Sequence, residues 1–291
     1  MRARFVAALI RGAALVVVAA LVAGCGSAAR SRSGTSRAGL PQTVHVSGYS
    51  LTVRCTGSAR TARPTIVLLS GVTQPLTTFT FIQNRLSSEA RVCSYDRPGE
   101  GTSSNPQTEQ TLTDSVTILH QVLARLDVAS HGVVLVGHSL GGLIAAQYAA
   151  QYRTTHQVRA LVLLDATPPD LGTRVLRLIP RQARGPAGQF RSWIVSFRSG
   201  EDQERLLLEG ASVRGIGKVP LIVVRHGRPI FAGLAGYGRR LEQLWWEGQR
   251  AWLRLSPLSQ MVVARRSGHP IYLDQPFLTL RVIRKALSEA S

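Results

Sequence analysis

The sequence predicts an α/β fold: a mainly parallel, doubly wound sheet with a short helical cap or lid insertion. Three observations lead there. Short β-branched apolar runs recur at Thr65–Leu69, Gly132–Val136, Ala160–Asp165, Pro220–Val224 and Met261–Ala264. Between two of them, Leu112, Val116, Leu119, Leu123 and Leu126 keep one helical face apolar, and this alternation of strand and helix patterns marks βαβ units. The stretch from Leu171 to Gly217, rich in Arg, Gly and Pro, breaks the alternation and reads as an insertion covering one end of the sheet. Tyr49–Cys55 and Arg91–Asp96 add two earlier strands, and Phe277–Leu287 a C-terminal helix, within one domain expected over residues 42–291.

The N-terminus reads as a separate unit. Arg2, Arg4 and Arg11 precede the apolar stretch Ala13–Ala23, which is too short to span a bilayer. The expectation is a lipoprotein-type signal peptide over residues 1–24, because Val22-Ala23-Gly24-Cys25 resembles a lipobox, with Cys25 as the lipidation site. An ordinary signal peptide cut nearby is the alternative. Residues 25–41, polar and rich in Ser, Gly and Arg, read as a flexible tether between a lipid anchor on the outer face of the cytoplasmic membrane and a monomeric domain. Export to an oxidising compartment leaves Cys55 and Cys93 either bridged or buried as free thiols.

Charge excludes little. The net charge is +19, and Lys218 and Lys285 are the only lysines, so arginine carries the excess. Such a surface can seek anionic lipid or nucleic acid, or simply reflect a coding bias for arginine. The arginines are scattered and no nucleic-acid motif accompanies them, so no nucleic-acid partner is expected. Arg174, Arg177, Arg181, Arg184, Arg191 and Arg198 fall in the insertion, where they either face anionic lipid or form a solvated face.

Chemistry centres on Gly137-His138-Ser139-Leu140-Gly141, placed where the strand Val133–Val136 gives way to the small-residue run Gly142–Ala150. A sharp strand-to-helix turn strains its central residue and needs glycine on both sides, which fits a nucleophile elbow presenting Ser139. The Leu140 amide then opens a helix and can donate to an oxyanion. A serine needs a base. His269, in a turn between the last strand and the C-terminal helix, is the choice, and His226, at the end of the Pro220 strand, is the second candidate. His45, His120, His131, His138 and His156 read as structural.

Taken in order, "CTG", "RVCSYDRPGEGTS", "GHSLGG", "ALVLLDATPPD" and "SGHPIYLDQP" resemble the α/β-hydrolase superfamily, specifically exported bacterial hydrolases with this cysteine pair, over Thr43–Ser288. The resemblance implies Ser139 as nucleophile, His269 as base and a Cys55–Cys93 disulfide. It makes Asp96 and Arg97 a structural charged pair. The oxyanion loop would be Ser70-Gly71-Val72-Thr73, with Val72 as second amide donor and Thr73 as the alternative. The usual acid position, after the Pro220 strand, offers no Asp or Glu before Glu242. Relatives that place the acid after the nucleophile helix point to Asp165, with Asp170 and Glu242 as alternatives. The implied activity is hydrolysis of a small-molecule or lipid carboxylic ester through an acyl-enzyme, without metal or other cofactor. Acyl transfer, amide hydrolysis, or a non-catalytic binding lipoprotein on the same fold are the competing readings.

Overall fold

A computed structural model describes residues 39–59, 62–128, 131–155, 157–208 and 212–290. The expected signal peptide, Cys25, the tether up to residue 38, and His156 lie outside these residues. Pro41, assigned to the tether, instead opens the first strand, because it pairs with Arg54 at the edge of the sheet.

The strands are β1 (Pro41–Val46), β2 (Tyr49–Thr56), β3 (Thr65–Leu69), β4 (Val92–Tyr95), β5 (Gln110–Thr111), β6 (Val133–His138), β7 (Val158–Leu164), β8 (Leu206–Leu207), β9 (Leu221–His226) and β10 (Ser259–Ala264). Eight form one sheet in the order β1-β2-β4-β3-β6-β7-β9-β10, while β5 and β8 make a small separate pair. β1–β2 and β2–β4 are antiparallel, and every later pair in the large sheet is parallel.

The central strands are buried on both faces, so they read as continuous apolar runs. In β3, Ile66 and Leu68 point into one core and Val67 and Leu69 into the other, as a period of two requires. Helices α1 (Thr80–Leu86), α7 (Ile271–Asp274) and α8 (Pro276–Glu289) cover the Ile66 face; α2 (Leu112–Arg125) and α3 (Leu140–Gln151) cover the Val67 face. A capping box fixes the start of α2: Thr111 Oγ1 accepts from Asp114 N, and Asp114 Oδ2 accepts from Thr111 N.

The insertion contains α4 (Leu171–Leu178), α5 (Gly185–Arg198) and β8. Leu171 and Val175 of α4, with Ile179 just past its end, are buried in one cluster with Phe231 and Leu234 and with Leu241 and Trp245 of α6 (Gly238–Trp252). The arginines of this region divide. Arg174 pairs with Glu247 and Asp170, and Arg191 donates to the Ile179 carbonyl, whereas Arg177, Arg181 and Arg184 are exposed.

Cys55 and Cys93 face each other directly across β2 and β4 and are joined by a disulfide closing a separation of 38 residues. Loop-closure entropy of that size is worth about 4 kcal/mol. The Cys55→Ser/Cys93→Ser variant should therefore melt about 10 °C below the oxidised protein. An unchanged melting temperature in calorimetry would show that the bridge adds nothing to the fold.

Candidate active site

β6 ends at His138 and α3 begins at Leu140, leaving Ser139 alone in the turn with φ 52° and ψ −121°. The flanking glycines are required sterically. A Cβ on Gly137 would lie 2.4 Å from the Gly141 carbonyl oxygen, and one on Gly141 2.4 Å from the carbonyl oxygens of Leu69 and Ser70. The elbow is thus wedged against the end of β3. Ser139 Oγ hydrogen-bonds to Thr167 Oγ1 at 3.3 Å, and the Thr167 amide donates to the Ser139 carbonyl at 3.0 Å. Thr167 escaped the sequence reading; its one signal is that it stands two residues beyond Asp165.

The loop after β3 comes within reach of the elbow, since a Cβ on Gly71 would sit 3.2 Å from Ser139 Cβ. Its amides are unequally occupied. Gly71 N donates to Gln74 Oε1 at 3.0 Å, and Thr73 N donates to Glu100 Oε1 at 2.5 Å. Among the described residues, the amides of Val72 and Leu140 have no intramolecular acceptor. Thr73, the alternative donor, is therefore committed elsewhere.

Arg97 holds this loop from beneath, donating to Ser70 O at 2.7 Å and Gly71 O at 2.9 Å. Its ion-pair partner is Glu204 of the insertion, at 2.6 and 2.8 Å, and not Asp96, the partner that the resemblance implies. The Asp96 carboxylate is occupied instead by the amides of Leu76, at 2.5 Å, and Thr102, at 3.1 Å. Burial and the neighbouring Glu204 push the Glu100 carboxyl up to about 9, so Glu100 keeps its proton at neutral pH.

His269, in the turn after β10, lies with Nδ1 2.7 Å from Asp165 Oδ2. Asp165 follows β7 directly, is fully buried, and adopts φ 47° while its amide donates to Val224 O. Burial alone would raise its pKa; hydrogen bonds from His226 and His269, with the electrostatic attraction of those neighbours, outweigh burial and hold the carboxylate well below the usual range. His138 donates from Nε2 to the His269 carbonyl at 3.0 Å, and burial, reinforced by the adjacent His269, depresses its pKa to about 3. A neutral His138 thus anchors the backbone of the His269 turn.

Ser139, His269 and Asp165 are brought to one edge of the sheet, although the serine hydroxyl is turned to Thr167 and makes no hydrogen bond to His269. Asp170 is elsewhere, its side chain 60% exposed and 3.9 Å from Arg174. His226 shares Asp165 Oδ2 with His269, and Glu242 is in direct contact with the other ring nitrogen of His226. No group of three or more His, Cys, Asp or Glu side chains suited to a metal ion occurs among the described residues.

The model of the alpha/beta hydrolase family matches residues 66–281. An uncharacterized protein of Mycobacterium tuberculosis is 32% identical over 125 residues, 43% of this chain, which therefore spans about a third (34%) of that relative. YqjL of Bacillus subtilis is 25% identical over 214 residues, 74% of this chain and 79% of the relative. Among solved structures, a membrane phospholipase A described as a bacterial virulence factor aligns with a TM-score of 0.61 at 20% identity over 87% of both chains. A thermophilic esterase from Thermogutta terrifontis aligns with a TM-score of 0.57 at 20% identity, over 86% of this chain and 99% of the esterase. At such identities the likeness is one of fold.

Proposed function

Because this chain belongs to the alpha/beta hydrolase family, we propose that it is a serine hydrolase that cleaves carboxylic esters through an acyl-enzyme on Ser139, His269 and Asp165. The observation that carries the reading is the 2.7 Å contact between His269 Nδ1 and the buried Asp165, next to a serine held at positive φ. The neighbours described as an esterase and a phospholipase make a carboxylic ester the substrate class to test.

The first step is rotation of Ser139 Oγ from Thr167 toward His269 Nε2. The oxygen then attacks the acyl carbon while its proton passes to Nε2, and Asp165 stabilises the imidazolium. The Leu140 and Val72 amides receive the oxyanion. Collapse breaks the bond to the alcohol, which leaves with the proton from His269. Water, deprotonated by His269, attacks the acyl-enzyme; the acid departs and Ser139 recovers its proton. Acyl transfer replaces that water with an alcohol and needs the same residues.

The reading extends to the N-terminus: cleavage before Cys25 and lipidation of that thiol would hold the domain at the outer face of the cytoplasmic membrane. The lipobox-like run and the disulfide support it, since disulfides persist in oxidising compartments.

The purified protein should hydrolyse a short-chain p-nitrophenyl ester, and Asp170→Asn should retain kcat within about twofold, as expected of a residue outside the reacting groups. No turnover by folded, disulfide-bonded protein would contradict the proposal, and collapse of activity in Asp170→Asn would move the acid away from Asp165.

A further inference from the structure

Asp165 serves two histidines. His269 Nδ1 and His226 Nδ1 each lie 2.7 Å from Oδ2, while Oδ1 accepts from Trp245 Nε1 at 3.0 Å and His226 N at 3.2 Å. His226 ends β9, and its other ring nitrogen is in short contact with Glu242 Oε1 from α6. Glu242 Oε2 is fixed by the amides of Ile230, at 3.0 Å, and Phe231, at 3.2 Å. The side chains of Asp165 and His226 are inaccessible, that of Glu242 is 9% exposed and that of His269 20%, so water screens Glu242, His226 and Asp165 little and reaches the set only from the His269 end.

An ionised carboxylate only accepts hydrogen bonds, so an imidazole with one at each nitrogen satisfies both by carrying two protons. Trp246 Nε1, 3.3 Å from His226 Nε2, could bond only to a neutral ring, and that ring would leave the closer Glu242 oxygen without its donor. Burial pulls the His226 pKa down, yet hydrogen bonds and charges from Asp165 and Glu242 raise it to about 9. Both Glu242 oxygens face donors, His226 on one side and two backbone amides on the other, the bonding of a carboxylate, so with His226 charged the buried set holds one net negative charge. That charge matches the proton His269 gains as Ser139 attacks. Without Glu242, the His226 cation would cancel Asp165, and His269 would take up its proton with no net counter-charge in a low-dielectric site.

Resting on the serine-hydrolase reading, we propose that His226 and Glu242 are positioning residues: Glu242 offsets the charge of His226, which leaves the negative charge of Asp165 available to the His269 imidazolium. The other charged or titratable groups facing these rings are His138, from the end of β6, and Arg225, from β9. His138 is held neutral by burial. The Arg225 guanidinium lies over the Trp246 ring, 4.7 Å from its centroid, and donates to the His226 carbonyl at 3.2 Å.

Glu242→Gln keeps the shape and removes the charge. Its kcat should fall about tenfold at pH 6 with KM unchanged, and should recover toward wild type as the pH is raised to about 9 and His226, left with Asp165 as its one carboxylate, loses its proton. Adding His226→Asn, which keeps a donor to Asp165 but no cation, should restore kcat at pH 6 to within about threefold of wild type and abolish the pH-dependent recovery. A loss in Glu242→Gln that is the same at every pH, or a double variant no better than the single, would overturn the proposal. Histidine NMR of the unaltered protein supplies a reading free of folding effects and of turnover: His226 is expected to be doubly protonated at pH 7, and a neutral ring there also overturns the proposal. Failure of the underlying reading is distinguishable, because in that case the wild-type protein itself turns over no ester, whatever the state of His226.

Discussion

Asp165→Asn is expected to lower kcat for ester hydrolysis by about 10,000-fold, with KM little changed. The substitution leaves the shape of the site intact and reverses the chemistry of one atom. Asp165 Oδ2 accepts from both His269 Nδ1 and His226 Nδ1. An amide cannot accept from both while its NH2 group meets the NH donors of Trp245 and the His226 backbone. His269 would then place its proton on Nε2, toward Ser139, where a lone pair is needed. The loss should therefore appear in kcat. Steady-state kinetics on protein of wild-type circular dichroism measures it, and activity within tenfold of wild type would remove Asp165 from the reaction.

Arg97→Met should destabilise the fold by about 3–5 kcal/mol, the range for leaving a buried ion uncompensated. Arg97 is buried with Glu204 and Glu100 beside it, and it also ties down the carbonyls of Ser70 and Gly71. Removing it strands the Glu204 carboxylate and frees the loop that carries the Val72 amide, so activity should fall along with stability. Pairing the change with Glu204→Gln should recover part of the stability, since the stranded charge is then gone. Urea denaturation of the single and double variants tests this; a single-variant loss below about 1 kcal/mol would mean the pair behaves as a solvent-exposed one.

What could be read in advance followed from local pattern. β3 occupies Thr65–Leu69, the run that its β-branched apolar residues mark, and the other parallel strands begin or end within two residues of their apolar runs. The elbow was legible because its glycines are demanded by contacts that any strand-to-helix turn of this kind makes. Partners far apart in sequence were not legible. Glu204 reaches Arg97 across 107 positions, and nothing near "RLLLEG" distinguishes it from a surface acid. Glu242 and His226 are the alternative acid and base that the sequence offers, and in the structure His226 contacts Asp165 and Glu242 contacts His226. That arrangement depends on the parallel register that sets Leu164 of β7 beside Val224 of β9 and on α6 folding back over their ends. Composition carries neither fact.

The central claim, that Ser139 is an activated nucleophile, is tested most directly by labelling the purified protein with a fluorophosphonate probe alongside Ser139→Ala. Stoichiometric labelling of the wild type on the peptide containing Ser139, and none of the variant, is expected. Folded, disulfide-bonded wild type that stays unlabelled, or a variant labelled to the same extent, would contradict it.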